Sequence, residues 1–313
     1  LTSTVAKSTS LKSADQKLEF KMSTTSKDSP ISSFRATVEG PVEFDNPSSQ
    51  AAEADVSLEV KFEGASFNGA ASVKTVQNTL YFKINEFPFG SIYQQYLSYK
   101  NKWFYYKIPD EYINKEENLA QNAKMQKLFS DFLEKSKSWT KTSEKDKDTY
   151  LLEVTPPKDE VDKLIFDLVK NYEAKEAEDK KLIESLELEK VSKLTEKMKN
   201  LKITASVHKN TFYLKRADIT FDISMDNFSL PTGGDNLPTT EPVVFNFSIS
   251  SELSNYNRQV VIVPPTDAQD ITKEIEKLTK DIPTSDSVQT KDDQIKNDIA
   301  ALATELQAFY TTP

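Results

Sequence analysis

Apolar and polar residues alternate along much of the first and last thirds of the chain. Ser57, Glu59 and Lys61 fall between apolar neighbours and share one face of their segment. Period-2 alternation of this kind is typical of antiparallel strands with one buried and one solvated face, and we predict about a dozen such strands. The alternating apolar positions are Leu18, Phe20, Met22; Val56, Leu58, Val60, Phe62; Leu80, Phe82, Ile84; Ile203, Ala205, Val207; Ala217, Ile219, Phe221, Ile223; and Val243, Phe245, Phe247, Ile249.

Short polar stretches separate these segments and predict hairpin turns. They are GASFNG at 64–69, QN at 77–78, KN at 209–210 and SNYN at 254–257. Two longer polar loops are expected at 225–242 and 283–293.

The middle third changes to a helical period. Apolar stripes indicate amphipathic helices within 115–139 and, beyond Pro156 and Pro157, within 156–200, where a charged break interrupts the stripe at 173–181. A third helix is predicted over 266–282, with Thr266 or Asp267 as its N-cap. The stripes comprise Leu119, Met125, Leu128, Phe129, Phe132, Leu133; Val161, Leu164, Ile165, Leu168, Val169, Tyr172; Leu182, Ile183, Leu186, Val191, Leu194, Met198; and Ile271, Ile275, Leu278, Ile282.

The predicted elements follow one another as strands, inserted helices, further strands and a closing helix. This order predicts an α+β fold without βαβ units. We expect a large curved antiparallel sheet, a half-barrel, wrapped around the mid-chain and C-terminal helices. The predicted organisation is a flexible lead at 1–14, the half-barrel domain at 15–282, a linker at 283–293 and a terminal amphipathic helix at 294–313. The apolar positions of that last helix are Ile295, Ile299, Leu302, Leu306 and Phe309.

The composition makes a nucleic-acid partner unexpected and excludes cysteine chemistry. The 313 residues carry a net charge of −9, and Arg35, Arg216 and Arg258 are scattered, so we expect no nucleic-acid partner. With no Cys, the chain has no disulfide and no thiolate nucleophile or ligand. It has no run of 18 apolar residues, and its first twenty residues do not form a signal peptide. A signal or lipid anchor upstream of Leu1 is therefore an expectation that only the upstream sequence can test.

Candidate catalytic and metal-binding residues are few, and we expect neither an enzyme, a metal nor a cofactor. His208 is the single histidine and is predicted on the polar face of a strand. EKDKDT at 144–149 lacks the Gly and the closing Glu of an EF-hand, and TGGD at 232–235 lacks the Lys of a phosphate loop. The carboxylates of 173–181 alternate with lysines, as on a solvated helix face.

The densest aromatic stretch, residues 80–112, has two interpretations. Its rings seal the sheet against the helices, or part of it forms the rim of a binding cavity, and the two are compatible. The candidate ligand-binding residues are Phe82, Phe87, Phe89, Ile92, Tyr93, Tyr96, Leu97, Phe104 and Tyr106.

Several phrases in order along 15–280 resemble the LolA/LppX-like bacterial lipoprotein superfamily. These are TLYFKINEFP, KNKWFYYKIPD, DTYLLEVTPPKDEVDKLIFDLV and RQVVIVPPTDAQDITKEIEKL. The resemblance implies a half-barrel lipid-binding fold with a cavity for acyl chains between sheet and helices, and no catalytic residues. It also implies an extracytoplasmic location in the cell envelope or on the cell surface of a bacterium. The lipidated Cys of that superfamily is absent here, so attachment to a membrane surface would need an anchor outside this sequence.

The last stretch, KDDQIKNDIAALATELQAFYTTP, is similar to the segment that follows the membrane spine of type IV pilin-like proteins. The hydrophobic spine itself is not present before it. The ending at Thr-Thr-Pro leads us to expect that the native chain continues past Pro313.

These observations predict a non-enzymatic exported protein that binds a lipid or another hydrophobic ligand in a cavity between its sheet and its helices. The alternative is a structural or adhesive cell-surface module with a fully packed barrel, associated with a pilus or the envelope. A hydrolase without a visible motif is the third candidate, and it would need a cluster of perturbed carboxylates in a cleft.

Overall fold

A single open sheet of twelve strands organises the described residues. The sheet is large, curved and antiparallel, as the alternation predicted, apart from one two-residue strand at its edge. The structure is a computed structural model, and it describes residues 11–24, 31–43, 52–62, 65–87, 94–108, 124, 127–128, 131–171, 187–225 and 242–272.

Two meanders form the sheet. The first runs through β1 (Ser13–Thr24), β2 (Ile31–Glu43), β3 (Ala52–Phe62), β4 (Ala65–Val76), β5 (Thr79–Glu86) and β6 (Trp103–Lys107). The second runs through β7 (Thr140–Glu144), β8 (Thr149–Val154), β9 (Met198–His208), β10 (Leu214–Met225) and β11 (Val243–Ser254). Within each meander, strands that are adjacent in sequence pair antiparallel, and with β12 (Gln269–Asp270) the order across the sheet is β12-β6-β5-β4-β3-β2-β1-β11-β10-β9-β8-β7.

The two meanders meet at one seam, where β1 pairs with β11. Its antiparallel register runs from Asp15 opposite Ser254 to Thr24 opposite Phe245. Sequence alternation predicts both strands but not this pairing, because their residues lie at opposite ends of the chain. The seam therefore decides which apolar side chains become neighbours at the centre of the sheet.

The period-2 pattern gives the sheet one apolar and one polar face. On the polar face, Lys17 forms an ion pair with Glu39 at 2.9 Å, and Arg35 forms one with Glu19 at 3.1 Å. Such exposed pairs across neighbouring strands contribute little stability, but they keep this face solvated. Asp222 accepts hydrogen bonds from Asn246 and Asn200, and these hold the pKa of its carboxyl below the ordinary value.

The described helices are short. α1 (Lys158–Lys170) has 13 residues and follows Pro157, which lies at its N-cap position, as the sequence predicted. α2 (Leu188–Thr195) has only 8 residues, and Met198, expected in the same helical stripe, instead begins β9. Helical turns also occur at 131–136, and two 3-10 helices occupy Gln94–Tyr99 and Lys137–Trp139.

The start of the predicted closing helix was wrong. Instead of a helix from Thr266, Gln269–Asp270 form β12, a two-residue strand parallel to β6, and residue 272 is the first helical one. The Thr272 N–H donates to Asp270 Oδ1 at 2.9 Å, so Asp270 occupies the capping position that we expected at 266–267. The remainder of this helix lies outside the described residues.

The predicted turns are correct in three of four places. Turns occur at 77–78, 209–210 and 255–257, where Gln77, Asn255 and Asn257 have positive φ values of 54°, 49° and 58°. The stretch at 64–69 is different, because β4 already begins at Ala65.

The N-terminal end of the seam is closed by a buried cluster. Leu11 and Ala14, which we assigned to a flexible lead, are 4% and 0% exposed and pack with Leu253. Tyr213, Leu214 and Tyr256 cover this cluster. Hydrogen bonds add to it: the Asn257 N–H donates to the Ser13 carbonyl at 2.7 Å, Ser13 Oγ donates to the Arg258 carbonyl, and Arg258 forms an ion pair with Asp15.

Tyr256→Phe should weaken this closure by about 1 kcal/mol, because one hydroxyl serves two backbone carbonyls. Tyr256 Oη lies 2.9 Å from the Leu214 oxygen and 2.8 Å from the Leu253 oxygen. Burial raises the pKa of the Tyr256 hydroxyl, and the charge of Glu252 raises it further. The hydroxyl therefore remains a hydrogen-bond donor throughout the neutral pH range. Urea denaturation measures the change. Tyr213→Phe removes only an exposed acceptor for Asn257 and should have a smaller effect; an equal loss would contradict this account.

Candidate functional site

Four phenylalanine rings form a row across the centre of the apolar face. Phe34 of β2 meets Phe20 of β1 edge-on at 5.8 Å between ring centroids, and Phe20 lies 6.1 Å from Phe247 of β11. Phe247 stacks on Phe221 of β10 at 5.1 Å. We call Phe34, Phe20, Phe247 and Phe221 the aromatic floor. It crosses the seam, and the register of β1 with β11 assembles it.

Large apolar side chains beside the aromatic floor remain open to solvent. Leu18 is 40% exposed, Val38 39% and Ile249 38%. These three residues occupy β1, β2 and β11 and share the face of the floor, since Leu18 lies opposite Val38, and Phe20 lies opposite Ile249. Contiguous exposed apolar surface of this kind is typical of a binding site.

A cavity of about 340 Å³ lies between the two helices and β9, the strand next to β10. Val161 of α1 and Thr195 of α2 line one side, and Met198 and Leu201 of β9 line the other. Asn200, with a φ of 56°, lies in an irregularity of the β9–β10 register that brings Leu201 close to the position of Phe221. The volume is at the lower end of the range for small-molecule pockets.

The helix side of this cavity is held together by a buried carboxylate. Asp162 of α1 is 5% exposed, accepts a hydrogen bond from Thr195 Oγ1 of α2 and forms a 2.8 Å ion pair with Lys158. Burial alone would raise the pKa of Asp162, but the hydrogen bonds from Lys158, Thr195 and Ser192 outweigh it and lower the pKa. Asp162 thus fixes α2 against α1 above the cavity.

Ser192 lies between an ammonium group and a carboxylate, since it donates a hydrogen bond to Asp162 and accepts one from Lys158. Lys158 Nζ donates to Ser192 Oγ at 2.7 Å and to the Ser192 carbonyl at 3.2 Å. The same ammonium also pairs with Asp162, and the lowered pKa of Asp162 makes its carboxylate a weak base. This contact joins two helices, and it does not have the arrangement of an activated nucleophile.

The candidate residues of 80–112 lie at the far edge of the sheet from the cavity. Phe82 of β5 packs on Phe104 of β6 at 5.7 Å between ring centroids, and Tyr99 packs on Phe104 at 5.5 Å. Phe104 is 3% exposed, whereas Leu97 is 49% exposed. Tyr106 lies opposite Leu80 on the same face.

The remaining candidates are less defined. Phe87 is half-buried at the end of β5. Tyr96 belongs to the 3-10 helix Gln94–Tyr99, and Phe89, Ile92 and Tyr93 lie outside the described residues. The structure thus brings Phe82, Phe104 and Tyr106 together, and their role in ligand binding stays a prediction.

The opposite face of the sheet carries a wider, polar groove of about 550 Å³ over β1–β5. Its lining includes Lys17, Arg35, Glu39, Asp55, Asn68 and Asn85. Charges of both signs are already paired there, as with Lys17 and Glu39, and Ser72 Oγ donates to Asp55 at 2.6 Å. The groove therefore offers no concentrated charge to an ionic ligand.

His208 and the acidic residues are the other groups that could bind a metal ion or transfer a proton. His208 is half-buried at the end of β9, and its ring meets Tyr256 edge-on at 6.4 Å. We expected a solvated residue on a polar face, whereas His208 is half-buried against Tyr256, which itself packs on the buried cluster. Within the described ranges, His, Asp and Glu form no group of three or more that could hold a metal ion.

The sequence pattern did not predict the aromatic floor as a candidate site. It identified Phe20, Phe221 and Phe247 as core-facing positions but directed attention to the local density of rings at 80–112. The missing information was the seam, which places residues more than 200 positions apart side by side. Single phenylalanines at the centre of several alternating segments were the available signal.

The part of the chain that the structure describes includes no helix long and apolar enough to cross a membrane.

Comparison with known proteins identifies a family. The model of the family of unknown function DUF6612 matches residues 1–273, so the chain belongs to that family. No curated protein matches the chain. A solved structure, the LolA superfamily protein NE2245 from Nitrosomonas europaea, is similar at 9% identity, covering 83% of this chain and 94% of that one. Its TM-score is 0.18, which does not establish a shared fold, and the architecture above rests on the strand order alone. The pilin-like segment 294–313 lies beyond the family match, and that likeness stays a prediction.

Proposed function

We propose that this member of the family binds a hydrophobic ligand with an acyl chain on the apolar face of its sheet. The single observation that carries the proposal is the aromatic floor with its exposed neighbours Leu18, Val38 and Ile249 at the very centre of the sheet. A sheet normally covers this part of its apolar face. Leaving it open loses stability that a bound ligand would restore.

We propose a position for the ligand that follows the apolar face. Its chain lies across Phe20, Phe247 and Phe221, and its end enters the cavity at Met198 and Leu201. Each methylene removed from water contributes about 0.8 kcal/mol, so binding needs no covalent step and no ionic contact. We therefore propose a carrier or binding protein without enzymatic activity. The exported location expected from the lipoprotein resemblance is part of this proposal, and fractionation of the source cell tests it.

The alternative, a structural module with a fully packed barrel, would need Leu18, Val38 and Ile249 to be buried. Their exposure favours the binding role. Native mass spectrometry of the purified full chain, followed by organic extraction, should reveal a copurified apolar molecule.

Ile249→Asp should weaken binding of a dansyl-labelled fatty acid about tenfold, since it places a carboxylate beside the floor, and 1.4 kcal/mol is a factor of ten. Ser248→Asp, one residue earlier, adds the same charge to the polar face opposite Lys21 and Thr220 and should leave binding unchanged. Fluorescence titration gives both affinities, and thermal unfolding shows whether each variant is folded. If the unsubstituted chain does not bind the probe, or both variants bind equally, the apolar face is not the site.

A further inference from the structure

A tryptophan lies on the polar face of the sheet, near the ends of β5 and β6. Trp103 of β6 is opposite Lys83 of β5, and the strand register places both on the face of the groove residue Asp55. The ammonium groups of Lys83 and Lys74 lie 5.0 and 5.6 Å from the centre of the Trp103 ring. The half-buried ring points away from the apolar face, so packing of the core does not explain it.

A turn beside this ring presents apolar side chains to solvent. The Asn101 N–H donates to the Ile84 carbonyl of β5 at 2.8 Å, which holds the turn against the sheet. Leu97 is 49% exposed, and Tyr99 is 45% exposed although one part of its ring packs on Phe104. The turn and Trp103 therefore form one partly apolar surface at this corner of the sheet.

The same corner is positively charged, in a chain of net charge −9. The chain has 49 Asp and Glu among 313 residues, yet 87–109 contain none. Among the residues that the structure describes, no carboxylate lies within ion-pair distance of Lys83, Lys100 or Lys102, whereas Lys74 pairs with Glu53 at 3.0 Å. We define the basic corner as Lys83, Leu97, Tyr99, Lys100, Lys102 and Trp103.

The acidic residues of the chain do not cancel this charge. Strands β4, β5, β6 and β12 contain two of them, Glu86 and Asp270. Asp270 already accepts hydrogen bonds from the Thr272 N–H and the Tyr105 hydroxyl. At physiological salt the Debye length is about 8 Å, so acids on the far strands are largely screened from a surface in contact with the corner.

We propose that the basic corner docks the protein on the surface of an anionic lipid bilayer. The ammonium groups contact lipid phosphates, Trp103 and Tyr99 lie at the level of the headgroups, and Leu97 reaches the boundary of the acyl chains. A soluble polyanion would leave Leu97 in water, and an uncharged apolar partner would leave the lysines without counter-charges. The bilayer surface matches both properties, and this docking is independent of the proposed function.

Flotation of the full chain with lipid vesicles tests the docking. The protein should float with vesicles of about one part phosphatidylglycerol to two parts phosphatidylcholine, which carry a negative surface potential. It should stay unbound with phosphatidylcholine alone. Binding should weaken in about 1 M salt, where the Debye length is about 3 Å.

Lys100→Gln with Lys102→Gln should lower the partition coefficient for the anionic vesicles about 25-fold. Each lysine near an anionic surface contributes about 1 kcal/mol, or about fivefold, so either single substitution should have about a fivefold effect. The matched control, Lys141→Gln with Lys147→Gln, removes the same charge from β7 and the turn after it, at the opposite edge of the sheet, and should leave partition unchanged. All four lysines are exposed, and thermal unfolding verifies that the variants are folded.

Leu97→Asn tests the apolar part of the contact. It should lower partition about fivefold, because half of a leucine side chain no longer leaves water. Val261→Asn, at a side chain that is 69% exposed outside the corner, should have no effect. Ile249→Asp, which should weaken fatty-acid binding at the aromatic floor, should also leave vesicle partition unchanged.

Absence of vesicle binding by the unsubstituted chain would overturn the proposal, as would equal flotation with neutral and anionic vesicles or equal losses in the two lysine pairs. If the chain binds dextran sulfate through Lys100 and Lys102, and Leu97→Asn floats like the parent, the partner is a soluble polyanion and the bilayer proposal is wrong. Loss of flotation in Ile249→Asp alone would assign the lipid contact to the floor. That result refutes the basic corner and leaves the proposed function intact.

Discussion

Gly40→Ala should destabilise the protein by about 3 kcal/mol, although alanine normally suits a strand better than glycine. A Cβ atom on Gly40 would lie 2.1 Å from the carbonyl oxygen of Glu53 and 3.0 Å from Cα of Ala54. Both are backbone atoms of β3, and the β2–β3 ladder from Phe34 to Glu39 holds β3 in place. Relief of the clash therefore requires β2 to separate from β3.

Equilibrium urea denaturation of the full chain measures this effect. Because the Cβ atom itself causes the clash, Gly40→Val should lose only slightly more stability than Gly40→Ala. Thr37→Val, three residues earlier on the same strand, places the same side chain without such a contact and should stay within about 0.5 kcal/mol of the unsubstituted chain. A neutral or stabilising Gly40→Ala would show that β2 and β3 are further apart than described.

Asp162→Ala should detach α2 from α1 and lower stability by about 2 kcal/mol. The substitution removes the partner of Lys158 and the acceptor on α1 of Thr195 Oγ1, which keeps only the Ser192 carbonyl of its own helix at 2.9 Å. Thr195 is 6% exposed, so its hydroxyl cannot replace the lost acceptor with water. Lys158 is half-exposed and can be solvated instead. The loss of stability is therefore smaller than that for breaking a fully buried ion pair. Amide hydrogen exchange in Leu188–Thr195, together with urea denaturation, reports both the local and the global effect.

Asp162 should also make the free energy of unfolding depend on pH, in a direction that its pKa determines. The pKa of Asp162 is lowered in the folded protein, so its contribution is complete above the unfolded value of 3.8 and is lost as the pH falls through the folded value. Asp162→Asn should flatten the stability profile below about pH 4 relative to the unsubstituted chain. Glu189→Ala breaks only the exposed pair with Lys193 on α2 and should change neither stability nor its pH profile measurably. Identical acid profiles for the Asp162→Asn variant and the parent would refute this role.

Local sequence patterns predicted most of the fold. Alternation identified the strands that contain Phe20, Val60, Phe221 and Phe247, because each of these segments has one solvated face. The helical period located α1, where Pro157 marks the start. The class, a large antiparallel sheet interrupted by helices, followed from their order.

Competing local signals caused the errors. Met198 fits the helical stripe of Val191 and Leu194, but pairing with Ile223 draws it into β9. Residues 266–270 contain good capping residues, yet β6 offers an unpaired edge, and Gln269 and Asp270 join it. Tertiary pairing thus outweighed local propensity in both places.

The site depended on information that no local window contains. Phe20 and Phe247 are distant in sequence, and only the register of β1 with β11 makes them neighbours. The clustered rings of 80–112 were conspicuous in sequence, but Phe82 and Phe104 pack on each other at one edge of the sheet. Phe82 and Phe104 therefore pack as one of the two interpretations of 80–112 expected, the role of that stretch in binding stays a prediction, and rings aligned across strands form the open apolar surface.

The position of β1 at the seam also imposes an order on biosynthesis. β1 ends at Thr24 and β11 begins at Val243, so a ribosome must add about 220 residues after β1 before its second neighbour begins to form. Until then the first meander has an unpaired edge at β1 that carries Leu18, Phe20 and Met22. Such an edge recruits foreign strands, and a nascent chain of this protein depends on protection at β1 until β11 has been translated.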